Sequence, residues 1–213
     1  MIKSFITACV TPFGYEFCRI KDQRNSNVNS INVLKYLVPK DNVSFVQIGA
    51  NDGKQCDPIN PLINETWRGI FVEPNTFSYR LLAKTYSYLP SVIFESIAIH
   101  QTAKSLKLYV SNDSLCDSIH KKTSVFKVVP AISLQELFKR HNVTNLDLFV
   151  TDTEGCDYDI MHELLYKTGV KPKLIQFEHF FFSRAKYRAI CDKLLLEGYK
   201  LLQVGIDTVA QLG

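Results

Sequence analysis

The sequence has no C-x-x-C pair, no histidine at zinc-finger spacing, no block of like charges, no low-complexity linker and no apolar run long enough to cross a membrane. Each absence removes a class of protein. Without paired cysteines or a Cys/His array there is no disulfide scaffold and no structural zinc site. The six cysteines, Cys9, Cys18, Cys56, Cys116, Cys156 and Cys191, therefore read as separate thiols in a reducing compartment. Basic residues are scattered, with Lys121 and Lys122 the only short cluster outside helical patterns, so a net charge of +4 draws no track for polyphosphate. Nucleic acid is not an expected partner. The opening stretch MIKSFITACVTPFGYEF carries one lysine and is broken by Pro12, Gly14 and Glu16. It fits neither a signal peptide nor a membrane span, and a cytoplasmic location is expected. The glycosylation triplets at Asn42, Asn64, Asn112 and Asn142 then have no role.

What is present is an alternation. Residues 1–30 show no clean period and end in QRNSNVNS, an N-terminal arm; a single domain is expected from Ile31 to Gly213. SFVQIG, GIFVEP, SVIFESIAI, LDLFVTD, KLIQFEH and YKLLQVG are short, apolar and bounded by turn residues, as buried strands are. Between them, PNTFSYRLLAKTYSYL, ISLQELFKRHN, DYDIMHELLYKTG and RAKYRAICDKLLLEG carry apolar residues at helical spacing, two with glycine just past the end. Alternating strand and helix predicts an α/β fold with a mostly parallel sheet covered on both faces. LKLYVSNDSLCDSIHKKTSVFKVV breaks the rhythm and reads as an insertion or hairpin near the site's mouth. YKLLQVGIDTVAQL reads as two strands joined over Gly205 to Asp207, placing an antiparallel strand in the sheet.

In FVQIGANDG an apolar strand runs straight into Gly49, Ala50, Asn51, Asp52 and Gly53. Glycine suits a sharp turn whose backbone approaches a ligand, although a plain strand-to-helix turn has the same appearance. GIFVEP ends a second strand in Glu73, 24 residues after Gly49, the spacing at which an acidic side chain reaches a ribose hydroxyl pair. A dinucleotide is the obvious competitor, but G-A-N-D-G lacks the third glycine that seats a pyrophosphate on a helix N-terminus. A nucleoside without phosphates, such as S-adenosylmethionine, suits the loop better.

These blocks resemble the FkbM family of S-adenosylmethionine-dependent methyltransferases from about Asn42 to the C-terminus. The resemblance is carried in order by VQIGANDG with DPINPLI, W-R-G-I-F-V-E-P, ESIAIH, ISLQELF, LDLFVTDTEG and LIQFEH. It implies a class I methyltransferase fold: a Rossmann-like, mostly parallel seven-stranded sheet with the last strand antiparallel and helices on both faces. It also implies that Gly49, Ala50, Asn51 and Gly53 wrap the methionine end of the cofactor and that Glu73 holds the ribose. Asp52 and Asp57 are placed near the amino group, and Ser96 or Ile97 beside the adenine. Many members carry an acid where this chain has Gln47.

The fourth strand ends in Asp152, with Glu154 just after it, and the fifth in Glu178 and His179. Carboxyl ends of neighbouring parallel strands converge on the ligand cleft. An alcohol accepts a methyl group only when its proton is removed or its oxygen is polarised. Asp152, Glu154 and His179 are candidate bases; Asp152, Glu178 and His179 are alternative ligands for Mg²⁺ or another divalent cation. His100, His120, His141 and His162 lie in polar or helical contexts and read as structural. Phe180, Phe181 and Phe182 suit either an acceptor platform or the core, and Arg184 and Lys186 either an anionic acceptor or a solvated helix face. The reading is an O-methyltransferase acting on a hydroxyl of a sugar, glycan or small natural product, set against an NAD-dependent oxidoreductase and a non-catalytic nucleoside-binding protein.

Overall fold

A computed structural model describes residues 29–110 and 125–213 in full and the backbone of residues 9–10 and 16–19. The polar middle of the expected insertion, with Asn112, Cys116, His120, Lys121 and Lys122, lies outside the described residues, as do the side chains of Cys9 and Cys18. Two short strands, β1 (Cys9–Val10) and β2 (Glu16–Arg19), precede helix α1 (Ser30–Leu37). The chain then alternates through β3 (Ser44–Ile48), β4 (Arg68–Val72), α2 (Thr76–Thr85), β5 (Val92–Glu95), β6 (Ala98–Ile99), β7 (Ser105–Tyr109) and β8 (Phe126–Ile132). It continues through α3 (Leu134–Arg140), β9 (Leu148–Thr151), α4 (Asp157–Tyr166), β10 (Leu174–Glu178), α5 (Arg184–Leu196), β11 (Tyr199–Val204) and β12 (Asp207–Leu212).

Seven strands lie in the order β5-β4-β3-β9-β10-β12-β11, with β12 antiparallel to both neighbours, which is the class I methyltransferase sheet. The hairpin read at the C-terminus is β11–β12, turning at Gly205 with φ +64°. Within the expected N-terminal arm, β2 runs parallel to β11 and β1 pairs with β2, extending the seven strands to nine. One expectation needs correction. SVIFESIAI is not one strand: β5 ends the main sheet, and β6 joins β8 and β7 in a separate three-stranded sheet. Glu95, the last residue of β5, meets His141 Nε2 at 2.6 Å and Arg140 at 3.4 Å, both at the end of α3.

Helix starts follow local capping chemistry. Asn29, Asn75, Ser133 and Ser183 each accept a first-turn amide of α1, α2, α3 and α5 respectively. Alternation along the strands divides the core between the two sheet faces. Val46, Phe149 and Ile175 pack against α3, α4 and α5, whereas Phe45, Phe71, Leu148 and Val150 pack against Leu34 of α1 and Leu82 of α2. Each such fully buried side chain contributes about 2 kcal/mol. Among the described residues no helix is long and apolar enough to cross a membrane.

Candidate active site

Strand β3 ends at Ile48 and the chain turns at once. Gly49 takes φ +80°, and its amide and that of Ala50 donate to the Val72 carbonyl at 2.9 and 3.1 Å, fastening the loop over the tip of β4. A Cβ on Gly49 would stand 1.8 Å from the Asp152 carbonyl oxygen, so β3 and β9 close together only around glycine. Asn51, also left-handed at φ +46°, lines the cleft, and its buried Oδ1 has no hydrogen-bond partner among the described residues.

The rest of the loop supports this edge from behind. Gly53 makes room for packing: a Cβ there would meet Tyr86 Cε2 at 2.6 Å and Leu82 Cδ1 at 2.9 Å. Ala50 is buried in the core. Asp52 Oδ1 accepts the amides of Lys54 and Gln55 at 2.9 and 3.0 Å. Asp57 is buried, accepting from Ile59 N at 2.7 Å, Tyr86 Oη at 3.1 Å, and Asn60 N and Gln47 Nε2 at 3.3 Å. Burial raises its carboxyl pKa against the pull of those four donors.

Glu73 stands just beyond β4. Its Oε2 accepts Asn51 N at 2.9 Å and its Oε1 accepts Asn75 N at 2.7 Å, tying the glycine loop to the start of α2. A carboxylate has about four acceptor positions, so this clamp and a ribose hydroxyl pair can share it. Gly49, Asn51 and Glu73 line one cleft. Its far wall is apolar: Ile97 just after β5, and Ile99 from β6 and Leu106 and Leu108 from β7 of the small sheet. Ile97 thus stands at the flat apolar slot, while Ser96, half-buried, is not among the lining residues. The glycine loop opens no helix, since β4 is the next element, so a pyrophosphate would have no helix N-terminus beneath it.

Strand register sets the opposite rim. Ile48, Thr151 and Phe177 stand in one row across β3, β9 and β10, so Gly49, Asp152 and Glu178 form the next. Glu178 in turn pairs with Asp207 on β12. Asp152 lines the cleft and is exposed at its mouth. Desolvation by the surrounding protein, then the charges of Asp157, Asp207 and Glu154, hold its carboxyl up at about 7. Glu178 is buried and pushed to about 8, by desolvation first and then by Asp152, Asp157, Glu154 and Asp207. Glu154 lines the cleft at φ +55°. Asp157, wholly buried at the start of α4, accepts Thr151 Oγ1 at 2.7 Å and Thr153 N at 3.1 Å, fixing the turn that presents Asp152 and Glu154.

His179 is not part of this rim. One residue past Glu178 it points to the other sheet face and stacks on Tyr187 of α5 at 4.4 Å. Its Nε2 accepts from Gln203 Nε2 at 3.2 Å, which leaves the proton on Nδ1 to donate to Thr208 Oγ1 at 3.1 Å. Burial lowers the imidazole to about 4. Both nitrogens are engaged and the ring is uncharged, which corrects its expected role as base. The expected metal trio of Asp152, Glu178 and His179 fails for the same reason: among the described residues no three His, Cys, Asp or Glu side chains converge as ligands. The residues present do not fit a divalent ion.

Sequence reasoning missed Asp207, Gln176 and the Leu106/Leu108 wall. Asp207 looks like a hairpin residue, and only the pairing of β10 with β12 brings it to the rim. The aromatic run divides: Phe182 packs on Phe177 and Tyr158, whereas Phe180 and Phe181 are exposed. Arg184 and Lys186 are exposed on the first turn of α5, Lys186 over the Tyr158 ring.

A model of the methyltransferase FkbM domain matches residues 47–201. No curated protein matches the chain. Among solved structures, fibrillarin of Aeropyrum pernix with natively bound S-adenosyl-L-methionine is similar at TM-score 0.50 and 13% identity, over 85% of this chain and 73% of that one. A candidate rRNA methylase of Clostridium thermocellum is similar at TM-score 0.52 and 9% identity, over 86% and 94%. At these identities the likeness is one of fold.

Proposed function

The chain belongs to the FkbM methyltransferase family, and from that premise we propose that it transfers a methyl group from S-adenosylmethionine to a hydroxyl of a sugar, glycan or small natural product. One observation carries the reading: Gly49, Asn51, Glu73 and Asp152 line a single cleft. The unpartnered Asn51 Oδ1 and the Glu73 carboxylate are acceptors suited to ribose hydroxyls and an ammonium, and the Ile97/Leu108 slot suits a flat base. When bound, S-adenosylmethionine supplies a methyl group on a positively charged sulfur.

The chain's own part is to align the acceptor and take its proton. Asp152 is the group placed for this, at the tip beside Gly49, with a pKa near 7 that leaves it basic enough to accept a hydroxyl proton at neutral pH. The hydroxyl proton would pass to Asp152 and then to solvent as the methyl group moves to the acceptor oxygen, the sulfur–methyl bond breaking and S-adenosylhomocysteine leaving. Glu154 adds negative charge that keeps Asp152 basic. The acidic rim also disfavours an RNA acceptor, whose backbone is anionic. Unpaired Cys56, Cys156 and Cys191 accord with a reducing, cytoplasmic setting.

Calorimetry with S-adenosylmethionine and, separately, NAD tests the cofactor. Heat is expected with the first alone; heat with NAD alone overturns the reading in favour of an oxidoreductase. Binding of S-adenosylmethionine with no label transferred from it to any hydroxyl compound in a cell extract would leave a nucleoside-binding protein.

A further inference from the structure

Beside the cofactor cleft lies a polar layer that the transfer reaction as described does not use. Below the row Gly49, Asp152, Glu178 and Asp207 stands a second, Gln47, Val150 and Gln176, in register across β3, β9 and β10 on the same sheet face. Both glutamines are more than nine-tenths buried. Gln47 donates its Nε2 to Asp57, and Gln176 is hydrogen-bonded to Asp207. Each amide is thereby turned so that its Oε1 is buried without a partner among the described residues. Glu178 Oε2 is a third buried oxygen in the same condition.

The two amide oxygens are acceptors, Glu178 Oε2 becomes one when its carboxyl ionises, as a cation placed beside it favours, and Asp152 and Asp207 stand on either side of Glu178. Among the described residues no lysine or arginine pairs with Asp152, Glu178 or Asp207. Two side chains donate to Asp207 at the end of this row: Ser30 Oγ of α1, at 2.6 Å from Asp207 Oδ2, and the Gln176 amide. A neutral hydroxyl donates once and must itself accept, and here it would meet almost only acceptors. An ammonium donates three hydrogens, accepts none and carries the missing positive charge.

Resting on the methyl-transfer reading above, we propose that Glu178, Asp207 and the Gln176 amide oxygen form an acceptor subsite for a protonated amine, so that the methylated hydroxyl belongs to an amino sugar or amino alcohol. The amine anchors at Glu178 and Asp207, and the neighbouring hydroxyl then lies toward Asp152, next in the row and nearest the glycine loop. Specificity comes from what is left unpaired: a neutral sugar leaves buried oxygens unsatisfied, and an anionic one adds repulsion.

The test uses the protein loaded with S-adenosylhomocysteine and three probes of one shape, glucosamine, glucose and glucuronate, titrated by NMR. Glucosamine is expected to bind at least tenfold more tightly than glucose, with glucuronate weakest. Glu178→Gln should shrink the preference below twofold and leave the S-adenosylhomocysteine affinity within twofold. Gln176→Leu, which keeps the charge, should shrink it about threefold and serves if the first variant does not fold. Equal binding of glucose and glucosamine overturns the proposal, as does no binding of glucosamine. A Glu178→Gln protein that loses cofactor affinity tenfold while keeping its amine preference assigns the row to the cofactor and overturns it too. Failure of S-adenosylhomocysteine to bind the native protein is a different result, which removes the methyl-transfer reading and this subsite with it.

Discussion

At Gly49 the cost of one methyl group is set twice, by φ of +80° and by the Asp152 carbonyl 1.8 Å from where a Cβ would stand. The left-handed backbone alone costs a non-glycine residue about 1–2 kcal/mol. The clash is with backbone and cannot be relieved by a rotamer. Gly49→Ala is expected to lose about 2–4 kcal/mol in urea unfolding and to weaken S-adenosylmethionine binding more than tenfold by calorimetry. Asp152 gives the matching prediction for chemistry. A base works only when deprotonated, so kcat should rise about tenfold per pH unit below its pKa near 7 and level off above it. Asp152→Asn should fall at least about 100-fold and lose that profile, with cofactor affinity little changed. His179→Ala should do the reverse, keeping kcat within a few-fold while losing about 1–3 kcal/mol of stability, because Thr208 and Gln203 lose their partner. The sequence shows Glu178 and His179 side by side at a strand end. Which of the two shares a row with Asp152 follows from alternation plus register, and register is a property of β9 and β12 as much as of β10.

Among the elements, the β3–β4 connection behaves least like its sequence pattern. A glycine loop after a strand suggests a helix to follow, yet residues 49–67 form turns, with Pro58 and Pro61 among them. What holds them is Asp57, taking four donors from the loop, from β3 and from Tyr86. Removing a buried hub of this kind leaves several donors unsatisfied. Asp57→Ala should therefore weaken S-adenosylmethionine binding about tenfold and lower the melting temperature, while kcat at saturating cofactor stays within twofold. An equal fall in kcat would place Asp57 in the chemistry rather than behind it. The main strands and helices α2 to α5 were legible because apolar period and capping residues are local. The division of SVIFESIAI between two sheets was not, because it depends on Ala98 and Ile99 pairing with Ala131 and Ile132 of β8, 33 residues away.

For the whole molecule, the legible part is the α/β alternation and the antiparallel last strand; the illegible part is how much negative charge the fold collects at one rim. That charge makes a prediction about global stability. The carboxyl groups of Asp152 and Glu178 start from 3.8 and 4.5 and are raised to about 7 and about 8. An acid whose pKa is raised by folding holds its proton longer in the native state, so its contribution is full at low pH and is lost as pH rises through the native value. Other groups act elsewhere. Asp147 and Glu197, held low by Lys173 and by Lys171 and Lys193, matter in the acid range, and their stabilisation is lost only as pH falls. His179, lowered from 6.5 to about 4, adds stability as pH rises between those two values. Between about pH 6.5 and 8.5 the rim acids dominate, so the melting temperature of the cofactor-free protein should fall across that window. Glu178→Gln, which cannot ionise, should flatten the fall and be relatively more stable at pH 8.5 than at pH 6. A melting temperature that rises across the same window would mean that Asp152, Glu178 and Asp207 are not packed together, and the shared rim on which the base and the amine subsite both depend would not exist.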